Sequence, residues 1–591
     1  MQAAKYIFRQ LAEWGVKDVF MVTGGGAMYL DAALGDEPGL RYFCCLHEQS
    51  CSMAAEGYAR TVNRPGVVLV TSGPGGVNAL TGVLGAWLDS VPMVVISGQV
   101  KRETMAASYP ELSLRQLGDQ EFDIVSTVRH MTKYAVCVTD ANELKNELCR
   151  AWREAISGRP GPVWLDIPLD IQNAEIDEAL SSKPEKIVPL PVPAQVAAAA
   201  AMLSAAKSPV IVAGRGVHCS GAEKDFLRLI DRLKIPVLTT PSGIDLLAET
   251  HPLNYGRIGV MGNRAANIIM QNCDLMLVLG TRMNLRAVGY NWDGFAPDAR
   301  RIMVDVDAAE LRKPSFRVDL PICADVGLFI RSLDLETAFR PDWLTYCDRM
   351  RRKYPNVPTG RAAGENYVDS YVFPLLLMQN LPPAAIVVCG NGTAYTSTFQ
   401  AGSPPAGTTL FANVGCASMG YGLPAAIGAC LAAPERTVAV VTGDGSIQMN
   451  LQELATVAGA KLPLKIFVYN NNGYLSIKST QKAFNHGKYV GADPSSGVYL
   501  PDLEKLAPAF GLRYFQLCNH VEAAAELSKI MSCAGPVLCE VMLDPEEKLE
   551  PKAATAVLPD GRLFSRPLDD MTPLLDRDEF EQNRWKAENC E

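Results

Sequence analysis

An apolar run from Thr437 to Thr442 (TVAVVT) ends in Gly443-Asp444-Gly445-Ser446, and 24 residues separate Gly445 from Asn470, the head of Asn470-Asn471-Asn472-Gly473. A strand that returns parallel to its neighbour needs a crossover of a dozen or more residues, usually helical, and this gap fits one β-α-β step. The chain is thereby held to a parallel sheet with a carboxylate on a glycine turn at one strand end. Amide oxygens stand at the end of the next strand. Two such oxygen donors can clamp a hard divalent cation together with a diphosphate. Asp-Gly alone is an ordinary turn; the spacing to the asparagines makes the pattern specific.

A length of 591 residues exceeds what one hydrophobic core serves, and at ~150 residues per domain predicts three or four units. Apolar runs alternate with longer amphipathic or Ala-rich segments, the pattern of parallel sheets covered by helices. Strands are expected at 18–23, 67–71, 93–97, 210–213, 237–240, 275–279, 302–305, 386–389, 438–442, 464–469 and 537–542. A Pro-rich passage, Lys183-Pro184 to Val192-Pro193, marks a linker, and Pro and Gly cluster again from Tyr354 to Gly364. The expected fold class is α/β, with three doubly wound parallel-sheet domains in series over residues 1–180, 190–345 and 362–548. A charged, Pro-containing tail, 549–591, is a candidate lid.

The net charge of −9 argues against a nucleic-acid partner. No apolar run approaches the ~20 residues of a membrane span, and Met1 to Arg9 lacks a signal-peptide pattern. Sixteen cysteines are scattered through apolar stretches without CxxC spacing, as buried thiols of a cytoplasmic protein would be.

Three further motifs stand in order along the chain: His47-Glu48-Gln49; Ser72-Gly73-Pro74-Gly75 with Asn78; and Met419-Gly420-Tyr421-Gly422-Leu423-Pro424-Ala425-Ala426. With the Asp444 and Asn471 pattern they span roughly residues 1 to 550 and resemble the acetolactate synthase-like branch of thiamine-diphosphate enzymes. The resemblance implies a pyrimidine-binding first domain, a middle domain and a diphosphate-binding third domain. Glu48 would hydrogen-bond a ring nitrogen of the cofactor's aminopyrimidine, a contact strongest in an apolar pocket. The competing reading of Glu48 is a helix N-terminal carboxylate stabilised by the dipole. Asp444, Asn471 and the Gly473 carbonyl would hold Mg²⁺, which prefers oxygen donors. Gly390, Asn391 and Gly392 would cradle the diphosphate with Gly445 and Ser446. Met419 would support the cofactor from beneath; Pro74, Asn78 and Tyr474 would line its pocket. Gly25, in Gly24-Gly25-Gly26, would turn a backbone N–H toward a developing oxyanion. In this family the Glu48-type and Asp444-type residues come from different subunits, which implies a homodimer or homotetramer.

The implied substrates are a 2-keto acid donor, pyruvate first, and a carbonyl acceptor. Simple pyruvate decarboxylases carry an adjacent His-His pair for protonation, whereas the six histidines here (47, 130, 218, 251, 486 and 520) include none. Carboligation is therefore favoured over release of an aldehyde. Gln120 resembles the glutamine that contacts the reacting intermediate, although Asp119 replaces an aromatic residue and Lys101 to Arg115 looks like an insertion. Arg286 matches an arginine near the acceptor pocket, while Met283 and Asn284 depart from the acidic pattern around it. Thr480 stands where the biosynthetic enzymes keep a tryptophan, which implies a wider, more polar acceptor pocket. A subgroup that transfers an acetyl unit to a nucleotide-linked ketosugar is similar at Gly82 to Trp87 and Leu114 to Gly118. The alternatives are a non-ligating decarboxylase and a non-catalytic homologue; a dinucleotide oxidoreductase would need the third glycine that Gly24-Gly25-Gly26 lacks. In the middle domain Gly214-Arg215-Gly216 and Asp305-Val306-Asp307 each follow a strand; the resemblance implies a non-redox FAD there, which the glycine loop and Arg282 would permit, with a flavin-free domain as the alternative.

Overall fold

A computed structural model describes residues 1–357, 361 and 366–586. The domain boundary expected at residue 362 and the last five residues of the tail lie outside the described residues. Three six-stranded sheets follow one another. The first contains β1 (Asp18–Met21), β2 (Arg41–Cys44), β3 (Gly66–Val70), β4 (Met93–Gln99), β5 (Tyr134–Cys137) and β6 (Pro162–Pro168). The second contains β7 (Pro209–Ala213), β8 (Val237–Thr239), β9 (Asn254–Arg257), β10 (Leu275–Leu279), β11 (Arg300–Asp305) and β12 (Leu320–Cys323). The third contains β13 (Ile386–Cys389), β14 (Thr409–Ala412), β15 (Val438–Gly443), β16 (Lys465–Asn470), β17 (Arg513–Leu517) and β18 (Val537–Met542). Every pairing within these sheets is parallel. Helices cover both faces, so strands such as β3, β7, β10 and β13 are buried along their whole length.

Strand order decides where ligands bind. The first sheet runs β2-β1-β3-β4-β6-β5 and the third repeats that order as β14-β13-β15-β16-β18-β17. The middle sheet, β9-β8-β7-β10-β11-β12, has the third-second-first-fourth-fifth-sixth order of dinucleotide-binding domains. Order reverses between β1 and β3, between β13 and β15, and between β7 and β10. A crevice opens outside the carboxyl ends of the strands at each such point.

The first and third domains meet through two helices, Glu48–Val62 and Gly422–Ala432. A Cβ built on Gly57 would overlap the Ala425 carbonyl, and one built on Gly428 would overlap the Ala54 carbonyl. The two backbones thus touch where side chains would hold them apart. Beside this contact Arg60 Nη2 reaches Glu56 Oε1 at 2.6 Å and Asp89 Oδ2 at 2.7 Å. Glu56 also accepts from the Tyr421 hydroxyl and, at 3.1 Å, from Asn413 Nδ2. Asp89 accepts the Val414 and Gly415 N–H groups, both at 2.7 Å.

The tail packs on the middle domain. β19 (Lys552–Ala553) pairs with β22 (Met571–Thr572), and β20 (Thr555–Val557) with β21 (Leu563–Ser565). Ala553 N–H donates to the Val260 carbonyl at 2.7 Å, and Trp585 packs edge-on against Trp343 and tilted against Tyr346. The β20–β21 hairpin keeps Val557, Leu563 and Phe564 exposed. No described helix is long and apolar enough to cross a membrane.

Gly428→Ala separates the contact from helix propensity. Propensity alone would stabilise the helix by about 1 kcal/mol, whereas overpacking a backbone contact costs about 1–3 kcal/mol. The expected outcome is a lower denaturant midpoint in equilibrium unfolding; a higher one would place the glycine in a tolerant site.

Candidate active site

At the reversal point of the third sheet, β15 delivers Asp444 to the first turn of a four-residue helix, Asp444–Ile447. Its Oδ1 accepts the Gly445 N–H at 2.7 Å and its Oδ2 the Gly473 N–H at 3.0 Å. Burial pushes this carboxyl up to about 6, against the pull of those N–H donors. Asn471, just past β16, donates from Nδ2 to Thr393 Oγ1 at 3.4 Å, and its Oδ1 is buried with no partner. A buried amide oxygen without a donor costs about 1–3 kcal/mol. An oxygen-seeking cation beside Asp444 would satisfy it. The Tyr474 ring lies against Gly445, where any Cβ would overlap it.

The neighbouring loop follows β13. Gly390 N–H bonds the Val441 carbonyl at 2.8 Å, Asn391 occupies the N-cap, and a ten-residue helix, Gly392–Ala401, begins there. The first N–H groups of that helix and of the Asp444–Ile447 helix, Ser446 among them, leave donors for an anion, whereas the Gly390 and Gly445 N–H groups expected in the cradle are already taken by the Val441 carbonyl and Asp444 Oδ1. Met419 is half-buried in the loop after β14, and the next residue, Gly420, donates its N–H to Ser446 Oγ at 3.1 Å.

The first sheet supplies the other half. Glu48 opens the helix after β2, capped by His47, whose Nδ1 accepts the Gln49 N–H at 3.1 Å. Asn78 Nδ2 donates to Glu48 Oε2 at 3.0 Å. Gly75, in the short helix that starts at Pro74, has its Cβ position 3.6 Å from Glu48 Oε1. Gly25 is exposed after β1, and Gly26 N–H is held by Thr71 Oγ1 at 3.1 Å. Gln120 reaches the same wall, because a Cβ on Gly73 would overlap its carbonyl oxygen. Glu48, Asn78, Pro74, Gly25 and Gln120 therefore cluster at one reversal point, and Asp444, Asn471, Gly473, Tyr474, Gly390, Asn391, Gly392, Gly445, Ser446 and Met419 at another. Among the described residues no hydrogen bond or ion pair joins the first set to the second within the chain.

Sequence reasoning missed the residue that relates the two. Asn450 Oδ1 accepts Ser50 Oγ at 3.0 Å and Gln49 Nε2 at 3.3 Å, while its Nδ2 donates to the Gly420 carbonyl at 2.9 Å. Glu453 Oε1 accepts the Leu46 N–H at 3.0 Å. The only signal in the chain was polar residues four and seven positions after Ser446, on a helix face that is otherwise buried.

The two acceptor candidates fall apart from each other. Thr480 is exposed on the Leu475–Phe484 helix and bonds back to the Ser476 carbonyl at 3.0 Å. Arg286 lies in the middle domain with its guanidinium 5.4 Å from the Tyr395 ring, on the Gly392–Ala401 helix. It also lines a cleft at the middle-sheet reversal point, with Arg215, Gly216, Arg282 and Asp305. There the Arg215 Nε is buried without a partner, and burial pushes the Asp305 carboxyl up to about 6.

Comparison with known proteins agrees with this layout. Residues 1–126 match the thiamine pyrophosphate enzyme N-terminal TPP binding domain, residues 196–333 the central domain, and residues 389–541 the C-terminal TPP binding domain. The acetolactate synthase isozyme 1 large subunit of Escherichia coli K12 is 33% identical over 553 residues, covering 93% of this chain and 95% of that protein. The isozyme 2 large subunit of the same organism is 33% identical over 557 residues, covering 93% and 97%. The acetolactate synthase large subunit of Lactococcus lactis is 31% identical over 556 residues, covering 93% of each. Crevices at matching strand ends, the residues gathered in them and near-complete coverage of these relatives together show that the chain belongs to the thiamine pyrophosphate enzyme family, among the relatives of the acetolactate synthase large subunits.

Proposed function

We propose that this chain is a thiamine-diphosphate-dependent carboligase. It releases CO₂ from a 2-keto acid, pyruvate first, and joins the remaining acyl carbon to the carbonyl carbon of an acceptor whose oxygen takes up a proton. The observation that carries the reading is the pairing of Glu48, held by Asn78, with an Asp444–Asn471 donor set containing one unsatisfied buried oxygen. When bound, thiamine diphosphate supplies a carbon nucleophile and an electron sink for decarboxylation. Glu48 holds a pyrimidine nitrogen by a charge-assisted hydrogen bond. Asp444, Asn471 and the Gly473 carbonyl would hold Mg²⁺, and the Asn391, Gly392 and Ser446 N–H groups would take the diphosphate. Met419, Pro74 and Tyr474 shape the pocket, Gly25 offers an N–H to oxyanion charge, and Gln120 meets the reacting carbons. None of the six histidines is adjacent to another, so the His-His pair that serves protonation in simple decarboxylases is missing. That leaves carboligation favoured over protonation. Arg286 and Thr480 are the acceptor-side candidates, and threonine where the biosynthetic enzymes keep a tryptophan suits a ketone bulkier than a small keto acid, a nucleotide-linked ketosugar among them.

The active site is proposed to form between two copies of the chain, in a cytoplasmic homodimer or homotetramer. Leu46 and Val77 rim the Glu48 set and Met449 and Ile477 the Asp444 set, and all four are exposed, as apolar rims of a pairing surface would be. The middle cleft is proposed to hold FAD without a redox role: sheet order, the Gly214–Gly216 turn and the unpartnered Arg215 Nε fit a dinucleotide phosphate.

Glu48→Gln should retain cofactor binding by titration and lose CO₂ release from pyruvate by about a hundredfold or more; full activity would sink the assignment. Mixing inactive Glu48→Gln and Asp444→Ala proteins under exchange conditions should restore roughly a quarter of wild-type activity for random pairing across a two-fold axis. No recovery would confine each site to one chain. Purified protein should be yellow with a flavin spectrum that Arg215→Ala weakens, whereas a colourless, fully active protein would remove the flavin.

A further inference from the structure

Gln120 ends a long irregular segment between β4 and β5 that contains only three one-turn 3₁₀ helices, Arg102–Thr104, Ala106–Ser108 and Pro110–Leu112. Leu112 and Leu117 are exposed, so no hydrophobic core anchors it. Glu121 draws the segment together, taking the Ala106 N–H on Oε1 and, on Oε2, the Leu117 and Gly118 N–H groups at 2.8 and 3.1 Å. Its attachment to the domain lies deeper. Gln99, at the end of β4 and 1% exposed, donates from Nε2 to the Phe122 carbonyl at 2.9 Å and to Asp166 Oδ2 at 3.0 Å. Its Oε1 accepts the Val100 N–H at 3.0 Å. Asp166 Oδ1 accepts Ser97 Oγ at 2.6 Å, and that hydroxyl accepts Trp164 Nε1 at 2.8 Å. A continuous hydrogen-bonded line therefore runs from the buried Trp164 on β6 to the backbone two residues after Gln120.

At the other end of that line the Gln120 backbone sits in the left-handed region (φ +60°), with its carbonyl packed where only Gly73 (φ +58°) leaves room. Gly73 precedes Pro74, whose helix faces Glu48. Asp166 is fully buried, yet no Lys or Arg pairs with it among the described residues; burial pushes its carboxyl up to about 7, with Ser97 and Gln99 pulling it down. A buried carboxyl with neutral partners costs stability relative to an apolar residue. Its presence within β6, opposite Ser97 of β4, asks for a local use.

We infer that Gln99 and Asp166 are positioning residues for the carboligation step: they pin the Phe122 carbonyl and thereby hold Gln120 against the Gly73–Pro74 wall, where the acceptor meets the donor carbons. This rests on the carboligase reading above. With Gln120 loose, the donor still loses CO₂, but capture by the acceptor competes less well with release of the aldehyde.

The test uses full-length enzyme with thiamine diphosphate and Mg²⁺, comparing wild type, Gln99→Met, Gln120→Ala and the double variant. The ratio of ligated product to acetaldehyde from pyruvate is measured beside deuterium exchange of the 101–122 segment. Gln99→Met should lower that ratio about fivefold or more, and the double variant should be no worse than Gln120→Ala alone, because one residue acts through the other. Exchange in 101–122 should rise in Gln99→Met while β1 and β3 stay protected. An unchanged ratio, additive losses in the double variant or unchanged exchange would overturn the inference. Wild-type enzyme that makes only acetaldehyde would overturn the carboligase reading and the acceptor role with it, while the exchange arm still reads whether Gln99 pins the segment. If Gln99→Met fails to fold, Asp166→Asn is read in the same way, since its amide cannot accept from both Ser97 and Gln99.

Discussion

The backbone contact between the Glu48–Val62 and Gly422–Ala432 helices sets the frame in which the rest of this molecule works. Glycine on each helix lets the other's carbonyl approach without a side chain between them. The closeness seals Arg60, Glu56, Asp89 and Tyr421 from water, leaving Arg60 and Glu56 almost wholly buried. Such an ion cluster is poor as a source of stability, because desolvation offsets the attraction, yet losing one member costs about 3–5 kcal/mol. It therefore acts as a specificity lock: only one relative placement of the first and third domains satisfies all its partners. Asn450 and Glu453 carry that placement to the site, tying the strand of residues before and after Glu48 to the loop that follows Met419.

With the domains fixed, sheet topology does the remaining placement. Identical strand order in the first and third sheets puts equivalent crevices on both, and each is filled by short glycine turns followed by helix N-termini. The helix N-termini leave first-turn N–H groups without intrahelical partners, which suits phosphate on the third sheet. On the first sheet the same geometry brings Gly25, Pro74 and Gln120 around Glu48. The middle sheet differs in order, and its crevice is correspondingly different in character, with Arg215, Arg282 and Arg286 replacing the single acidic donor of the third.

Much of this was legible in the chain. The α/β class, the three-fold series of parallel sheets and eleven interior strands followed from apolar runs alone. What escaped was systematic: β2, β5, β9, β12, β14 and β17, the six edge strands, were all unread. An edge strand has one neighbour and, in cases such as Arg41–Cys44 and Arg513–Leu517, solvent on much of its surface, so its residues need not be uniformly apolar. β6 is interior and was missed because prolines at both ends read as loop. Site residues with a local signature, glycine turns and the Asp444–Asn471 spacing, could be named from the chain. Gln99, Asp166 and Asn450 could not, since their meaning lies in partners 23 to 400 positions away.

Burial holds several carboxyls toward protonation. Asp444 and Asp305 are pushed up to about 6, Asp166 and Glu547 to about 7, and Asp31, which accepts the Gly24 N–H, to about 6. Asp305 ends β11 and Asp444 directly follows β15, while Asp166 lies within β6, Asp31 on the helix after β1, and Glu547 beyond β18, where it pairs with Arg361 at 2.8 Å. Carboxyls pulled down include Asp225 and Asp570, which pair with arginines. Linkage gives the sign: a carboxyl whose folded value is raised favours folding below its unfolded value, near 4, and that contribution is lost as pH rises toward 6 or 7. Near neutrality these groups oppose folding. Asp305 and Asp444 stand at strand ends, in the middle and third crevices, where apolar residues would serve stability better; there stability is exchanged for binding. For Asp444 the balance reverses when a cation arrives, because the ion favours the ionised form that burial disfavours.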